Sequence, residues 1–249
     1  TDSTLSIARR YESLDGRIKV YQNERNLGDY PNRNKAASYA KGKYLKYVDS
    51  DDYIYPYGLE ILVKSMEVYP GTGFGLCSLN PDDAKPFPFM LKPAEAYRYH
   101  FFGPGLFHKG PLDSIFVTSA FNSMGGFAFG RMISDTDMWH RMGLQFSTVL
   151  MPAGIVWQRR HHDQELTSQQ EFIYEAEKIK WRYLKNPDCG FTIYQLKKIK
   201  RNRLKKYTGF IISGLLRFNF QQVNIYIACF WFVFKINIKK YNAGNGTLG

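Results

Sequence analysis

Three carboxylates in four residues, Asp49-Ser50-Asp51-Asp52, close the apolar run Lys43-Tyr44-Leu45-Lys46-Tyr47-Val48, which reads as a strand. Carboxylates this close repel one another unless a cation or a set of donors sits among them. The carboxyl end of a strand in an open α/β sheet is where ligands bind, so the turn constrains both architecture and site. Hard oxygen donors of this kind suit Mg²⁺ or Mn²⁺, with a substrate phosphate completing the shell. Two other readings compete. An Asp-rich turn can simply cap the next helix and stay in water. A calcium loop of the EF-hand type would use Asp49, Asp51 and Glu60 at its first, third and twelfth positions, but Tyr53 and Ile54 stand at its fifth position and its required glycine. That excludes it.

The surrounding pattern predicts an α/β sheet. Residues 1–13 read as a helix, with Thr1, Ser3 or Thr4 as caps and Leu5, Ile7, Ala8 and Tyr11 on one face. Residues 17–21 alternate like a strand, and 31–40 read as a second helix with Pro31 in its first turn, where a missing N–H does no harm. After the acidic turn come a helix over about 57–69 and a strand at 73–78. Helices alternating with strands at this spacing indicate an α/β sheet. Residues 81–112 contain Pro81, Pro86, Pro88, Pro93, Pro104 and Pro111 among many aromatics. They read as a long excursion over the sheet, either binding substrate or filling the core edge. Further elements are expected at 114–118 (strand), 135–142 (helix), 146–151 and 155–158 (extended), and 164–184 (a long helix leaving the core).

Charge separates the chain into two parts. The net charge is +12, yet residues 190–249 hold eleven Lys or Arg and no Asp or Glu, leaving 23 basic and 22 acidic side chains to the other 189 residues. The basic run Lys197-Lys198-Ile199-Lys200-Arg201-Asn202-Arg203-Leu204-Lys205-Lys206 precedes an apolar segment, Val223 to Phe234, too short for a membrane span. Interleaving of cations with Phe, Ile, Leu and Trp favours an anionic membrane surface over nucleic acid. The alternative is that these apolar faces dock on the rest of the protein. Apolar content of 44% and aromatic content of 16% indicate a folded chain. Cys77, Cys189 and Cys229 show no metal spacing and suit a reducing compartment. The cysteines and the basic, apolar tail make the cytoplasm, peripheral on the inner face of the membrane, the expected location.

A series of short elements runs in order along roughly the first 165 residues. Thr1-Asp2-Ser3-Thr4 is similar to the end of an Asp-Asp-x-Ser-x-Asp-x-Thr run, Asn26-Leu27-Gly28 to an Asn-x-Gly turn, and Arg33-Asn34 to an Arg-Asn pair. Ala40-Lys41-Gly42, then Tyr44-Leu45, Asp49-Ser50-Asp51-Asp52 and Pro56 are similar to a metal-site strand. Downstream come Phe121 with Gly125-Gly126-Phe127, then Ser134-Asp135-Thr136-Asp137-Met138-Trp139, then Arg159-Arg160-His161. Together they resemble the inverting glycosyltransferases of family 2. The resemblance implies a GT-A fold: a Rossmann-like mixed sheet flanked by helices, here lacking its first strands, with a helical basic extension at the C terminus. Residues 1–165 would be the catalytic domain, N-terminally incomplete, and 166–249 the extension. The chain begins at Thr1, inside a motif, and is expected to be a fragment.

The resemblance also assigns roles. Asp51 would be the direct ligand of Mn²⁺ or Mg²⁺, and Asp49 would contact the ribose or the metal shell. Asp52 would be a supporting residue or a helix cap. Arg33 would touch the base or a phosphate of a nucleotide-diphosphate sugar. Asp135 would be the general base of an inverting, hexosyltransferase-type enzyme, with a helix N-cap as its structural alternative. Asp137 is assigned to capping or positioning, and Ser134 stands where the family usually has Glu. His161 would contact the diphosphate or the metal shell. Trp139 and the aromatics of 97–107 would stack on sugar rings, or belong to the core. The expected acceptor is a glycan or a lipid-linked glycan of the cell envelope. Two other function classes compete: a non-catalytic membrane- or nucleic-acid-binding protein acting through its tail, and a nucleotidyltransferase, which the absence of a Walker-type glycine loop disfavours.

Overall fold

The computed structural model describes residues 2–128, 133–159 and 172–238. Among the described residues seven strands are formed: β1 (Tyr44–Leu45), β2 (Tyr53–Ile54), β3 (Phe74–Leu79), β4 (Phe89–Leu91), β5 (Ser114–Val117), β6 (Thr148–Pro152) and β7 (Val156–Trp157). Five of them make one sheet in the order β1-β5-β3-β6-β4, while β2 and β7 pair separately. Only β3 and β6 run parallel; the other neighbours are antiparallel. The helices are α1 (Thr4–Leu14), α2 (Asp29–Ser38), α3 (Gly58–Glu67), α4 (Pro93–Phe102), α5 (Thr118–Ser123), α6 (Ser134–Gln145), α7 (Ile173–Leu184), α8 (Ile193–Leu216) and α9 (Phe220–Lys235).

Side chains alternate across the sheet with the two-residue period of a strand. Cys77, Ile115, Val149 and Met151 face α3, where Leu62 and Met66 meet them. Their neighbours Leu76, Phe116 and Leu150 face the other way, toward Met138, Trp139 and Met142 of α6 and Tyr97 of α4. Strands covered on both faces become nearly continuous apolar runs, as Phe74–Leu79 is.

Two sequence expectations are corrected, and a choice left open at 81–112 is resolved. Residues 17–21 form no strand, because α1 satisfies their backbone. Glu12 accepts from the N–H of Val20 at 2.7 Å, and Arg9 donates to the Val20 carbonyl at 3.2 Å. The strand expected at 43–48 shrinks to Tyr44–Leu45. Beyond it the partner β5 gives way to a 3₁₀ turn at Pro111–Asp113, and Lys46 donates its ammonium to the carbonyls of Leu112 and Tyr47 in place of a ladder. The excursion at 81–112 is mostly core. β4 adds an edge strand antiparallel to β6, α4 packs against α6, and Tyr97 and Phe107 are buried. Trp139 is also fully buried, donates to the Lys109 carbonyl at 2.6 Å and stacks on Phe116, so it and these two aromatics are unavailable to a sugar ring.

The C-terminal helices dock through their inner faces. Leu196, Ile199 and Tyr207 of α8 and Cys229 and Val233 of α9 share the apolar cluster on the sheet face that α4 and α6 cover. Thr192 and Gln195 form a reciprocal cap at the start of α8. Glu177 of α7 is buried and accepts from Arg203 of α8 and from the Trp181 indole at 2.9 Å. Burial alone would raise its pKa, but the Arg203 guanidinium holds it below the usual range. Among the described residues no helix is long and apolar enough to cross a membrane.

Candidate active site

The site is organised by α2. Asn26 accepts from the Gly28 N–H at 2.8 Å, forming a turn that only a residue tolerant of positive φ can finish; Gly28 has φ 80°. The helix then opens with Asp29 in its first turn, where a negative charge is favoured. Residues three apart on a helix are neighbours on one face. Tyr30 and Arg33 therefore project together, with the Arg33 guanidinium 5.4 Å from the Tyr30 ring centroid.

Arg33 reaches the acidic turn. One guanidinium nitrogen donates to Asp49 at 2.6 Å and another pairs with Asp29. Its side chain is 14% exposed, and its Nε is buried without a hydrogen-bond partner among the described residues. Tyr30, buried, lies beside Asp135, close enough for each to shift the other's pKa. Asp135 lies in the first turn of α6, but it is not the N-cap: that position is Ile133, which gives no side-chain cap bond. Burial pushes the Asp135 pKa up to about 6, against the opposing pull of a hydrogen bond from Thr136, of Tyr30 and of the Arg33 charge. The Thr136 N–H donates to it at 2.5 Å.

The glycine before Phe127 is explained by Asn34, the neighbour of Arg33. Its amide donates to the Phe127 carbonyl at 2.8 Å and accepts from the Phe127 N–H at 2.9 Å. Gly126 has φ 70°, and a Cβ there would sit 2.6 Å from the Asn34 oxygen. Asp137 is buried and holds the same loop from the other side. It pairs with Arg141 at 2.6 Å and accepts from the Tyr183 hydroxyl, while Arg141 donates to the carbonyls of Gly126 and Met124. Among the described residues Asp137 thus bonds Arg141 and Tyr183 and caps no helix end.

Around the acidic turn the charges are crowded. Asp52 accepts from the Arg159 N–H at 3.2 Å, supplied by the chain leaving β7. Its pKa is raised, first by burial and then by Asp51, Asp49 and Asp113. Lys46 lies beneath the turn; burial lowers its pKa to about 8 despite the charges of Asp113, Asp49 and Asp52. Among the described residues no three His, Cys, Asp or Glu side chains converge on a metal position. The donor set nevertheless fits a hard divalent cation, because the carboxylates of Asp51 and Asp49 disfavour charge on Asp52 and a cation among them would relieve that crowding, and such ions take remaining ligands from substrate and water. Beside Asp29 a polar cleft of about 560 Å³ is lined by Asn23, Arg25, Asn26 and Asn32.

The structure thus brings Arg33 and Asp49 into contact and joins them through α2 to Asp135; Asp51 is half-buried next to them in the turn. Arg160 and His161 lie outside the described residues. Sequence reasoning missed Tyr30, Asp29 and Lys46. The i, i+3 spacing of Tyr30 from Arg33 was the available signal for the first.

Comparison with known proteins gives a consistent picture. The model of the family described as glycosyl transferase family 2 matches residues 1–135. A glycosyltransferase of Methanocaldococcus jannaschii is 46% identical over 61 residues, 24% of this chain and 21% of that protein. TuaG of Bacillus subtilis, named for teichuronic acid biosynthesis, is 46% identical over 52 residues, 21% of each chain. The match therefore spans about a fifth of the length of these curated relatives. Among solved structures, S. aureus TarS 1–349 in complex with UDP-GlcNAc superposes with TM-score 0.55 at 20% identity, covering 75% of this chain and 55% of that one. The same protein with UDP gives 0.50 at 15% identity, covering 93% and 78%. The fold is that of GT-A glycosyltransferases. With its family model covering more than half its length, the chain belongs to glycosyl transferase family 2.

Proposed function

We propose that this chain transfers a sugar from a nucleotide-diphosphate sugar to a hydroxyl of a glycan or lipid-linked acceptor, with inversion at the anomeric carbon. The observation that carries the reading is that one face of α2 serves both carboxylate centres, Arg33 bonding Asp49 and Tyr30 lying beside Asp135. Family membership supports the reaction class, and the UDP-GlcNAc complex of TarS makes a UDP-sugar the first donor to test. In this reading residues 1–165 carry the chemistry and 166–249 form an extension with a separate role.

Asp135 takes the proton of the acceptor hydroxyl as that oxygen attacks the anomeric carbon and the bond to the diphosphate breaks. A carboxylate with its pKa drawn toward working pH is a better proton acceptor than an ordinary one, yet is still ionised at neutral pH. Arg33, held by Asp29 and Asp49, orients the nucleotide, whose base or ribose occupies the polar cleft beside Asp29. Asp51, with Asp49, would hold Mg²⁺ or Mn²⁺. Bound there, the ion supplies charge neutralisation to a departing diphosphate. Asp52 and Lys46 hold the turn in shape. The test is nucleotide release from a panel of nucleotide sugars with Mn²⁺ or Mg²⁺. Turnover that disappears in Asp51→Ala, with the fold intact, supports the reading; binding or turnover indifferent to that change contradicts it.

A further inference from the structure

The C-terminal hairpin presents a surface that sugar transfer does not use. Glu177, Arg203 and Tyr207 lock α8 onto α7, and the inner faces of α8 and α9 are spent on the common core, so their outer faces are held in fixed positions. On α9 the outward positions are Phe220, Ile227, Trp231 and Phe234, which recur at helical spacing and are 61%, 38%, 52% and 54% exposed. At the tip of the hairpin Leu216 and Phe218 are 76% and 80% exposed. On α8, Lys197, Arg201 and Lys205 recur every fourth residue along a groove of about 430 Å³. Lys200, from the same groove, donates to the carbonyls of Phe234 and Ile236 at 2.7 and 2.8 Å, and its ammonium lies 5.7 Å from the Phe234 ring. The cationic row and the aromatic stripe therefore run side by side.

We propose that this outer face docks on a membrane surface containing anionic lipids, with the Phe220–Phe234 stripe at the headgroup–acyl boundary and Lys197, Arg201 and Lys205 against lipid phosphates. Charge complementarity selects this occupant. A second copy would oppose one acid-free basic face with another, since residues 190–249 contain no Asp or Glu. A nucleic acid would meet the cations but leave the stripe of Phe, Ile and Trp uncovered. An interfacial surface needs both, and Trp beside Lys at the boundary of apolar and polar layers is the arrangement that bilayers favour. Docking of this kind does not depend on the sugar-transfer reading.

The experiment is co-sedimentation of the full chain with phosphatidylcholine vesicles, with and without phosphatidylglycerol, at low and high salt. The wild type binds the phosphatidylglycerol vesicles, and added salt weakens that binding. Two triple variants, Ile227→Ser/Trp231→Ser/Phe234→Ser and Lys197→Gln/Arg201→Gln/Lys205→Gln, each change exposed residues only and are checked for an unchanged circular dichroism spectrum. Each loses about tenfold or more of the partitioning. Equal binding to vesicles lacking phosphatidylglycerol, or unaltered binding by either variant, overturns the proposal. Absence of vesicle binding also overturns it, whether accompanied by dimers that Trp231→Ser dissociates or by salt-sensitive capture of nucleic acid.

Discussion

Tyr30 lies beside Asp135, across a gap in sequence that only the fold closes. Two opposing influences meet at this contact. Burial favours the protonated acid, while Tyr30, Thr136 and Arg33 favour the carboxylate, and burial wins. The same helix turn carries Arg33 to Asp49, so a shift of α2 would disturb both ends of the proposed site together.

Turnover is expected to rise with pH through about 6, as Asp135 loses its proton, and to level off above it. Tyr30→Phe removes a polar neighbour that favours the charged form, so the inflection moves to higher pH. A pH series of kcat/KM on the wild type and this variant measures the shift.

Asp135 weakens the fold at neutral pH. Its pKa rises from an ordinary 3.8 to about 6 on folding, so the native state binds the proton more tightly than the unfolded chain. Stability associated with this group is full below the lower value and is lost as pH climbs through the higher one. Asp135→Asn is therefore expected to stabilise the protein at pH 7 by up to about 3 kcal/mol and to have little effect near pH 3. Urea denaturation at the two pH values measures the difference.

Arg33→Ala and Asp49→Asn are both expected to weaken donor binding, because each removes the charge of one partner in the 2.6 Å pair that aims the guanidinium, and Asp49→Asn also removes a carboxylate proposed to hold the metal ion. Both raise the KM or Kd for the nucleotide donor by about tenfold, as loss of one charge-assisted hydrogen bond does. Combined in one chain, they cost less than the sum of the two single effects. Donor titration of the three variants tests this.

Gly126→Ala is expected to destabilise by about 1–3 kcal/mol, since it sets a Cβ against Asn34 in a left-handed backbone conformation. Thermal unfolding of this variant should show a lower Tm. The nearby Gly125→Ala should suffer only from its backbone conformation, because nothing stands within 4 Å of a Cβ there.

Much of this site was legible because its residues belong to local patterns. The acidic turn, the Asn26-Leu27-Gly28 launch of α2 and the start of α6 each follow from a few neighbouring side chains. What escaped depends on contacts distant in sequence. Tyr30 reads as an ordinary core aromatic until α6 brings Asp135 beside it. Lys46 alternates like a surface residue of a strand, yet its ammonium turns inward to Leu112. Residues 89–91 carried no strand signal amid their prolines, because their partner is β6, far along the chain. Residues 17–21 erred the other way: a strand pattern without a ladder partner, satisfied by Arg9 and Glu12.

The central claim is that Asp135 performs the proton transfer while Arg33, Asp49 and Asp51 hold the donor. Nucleotide release from a saturating nucleotide sugar, compared between wild type and Asp135→Asn with donor affinity measured in parallel, tests it most directly. A rate about 10²–10⁴-fold lower with an unchanged donor Kd is the predicted result. Undiminished turnover in Asp135→Asn would contradict it.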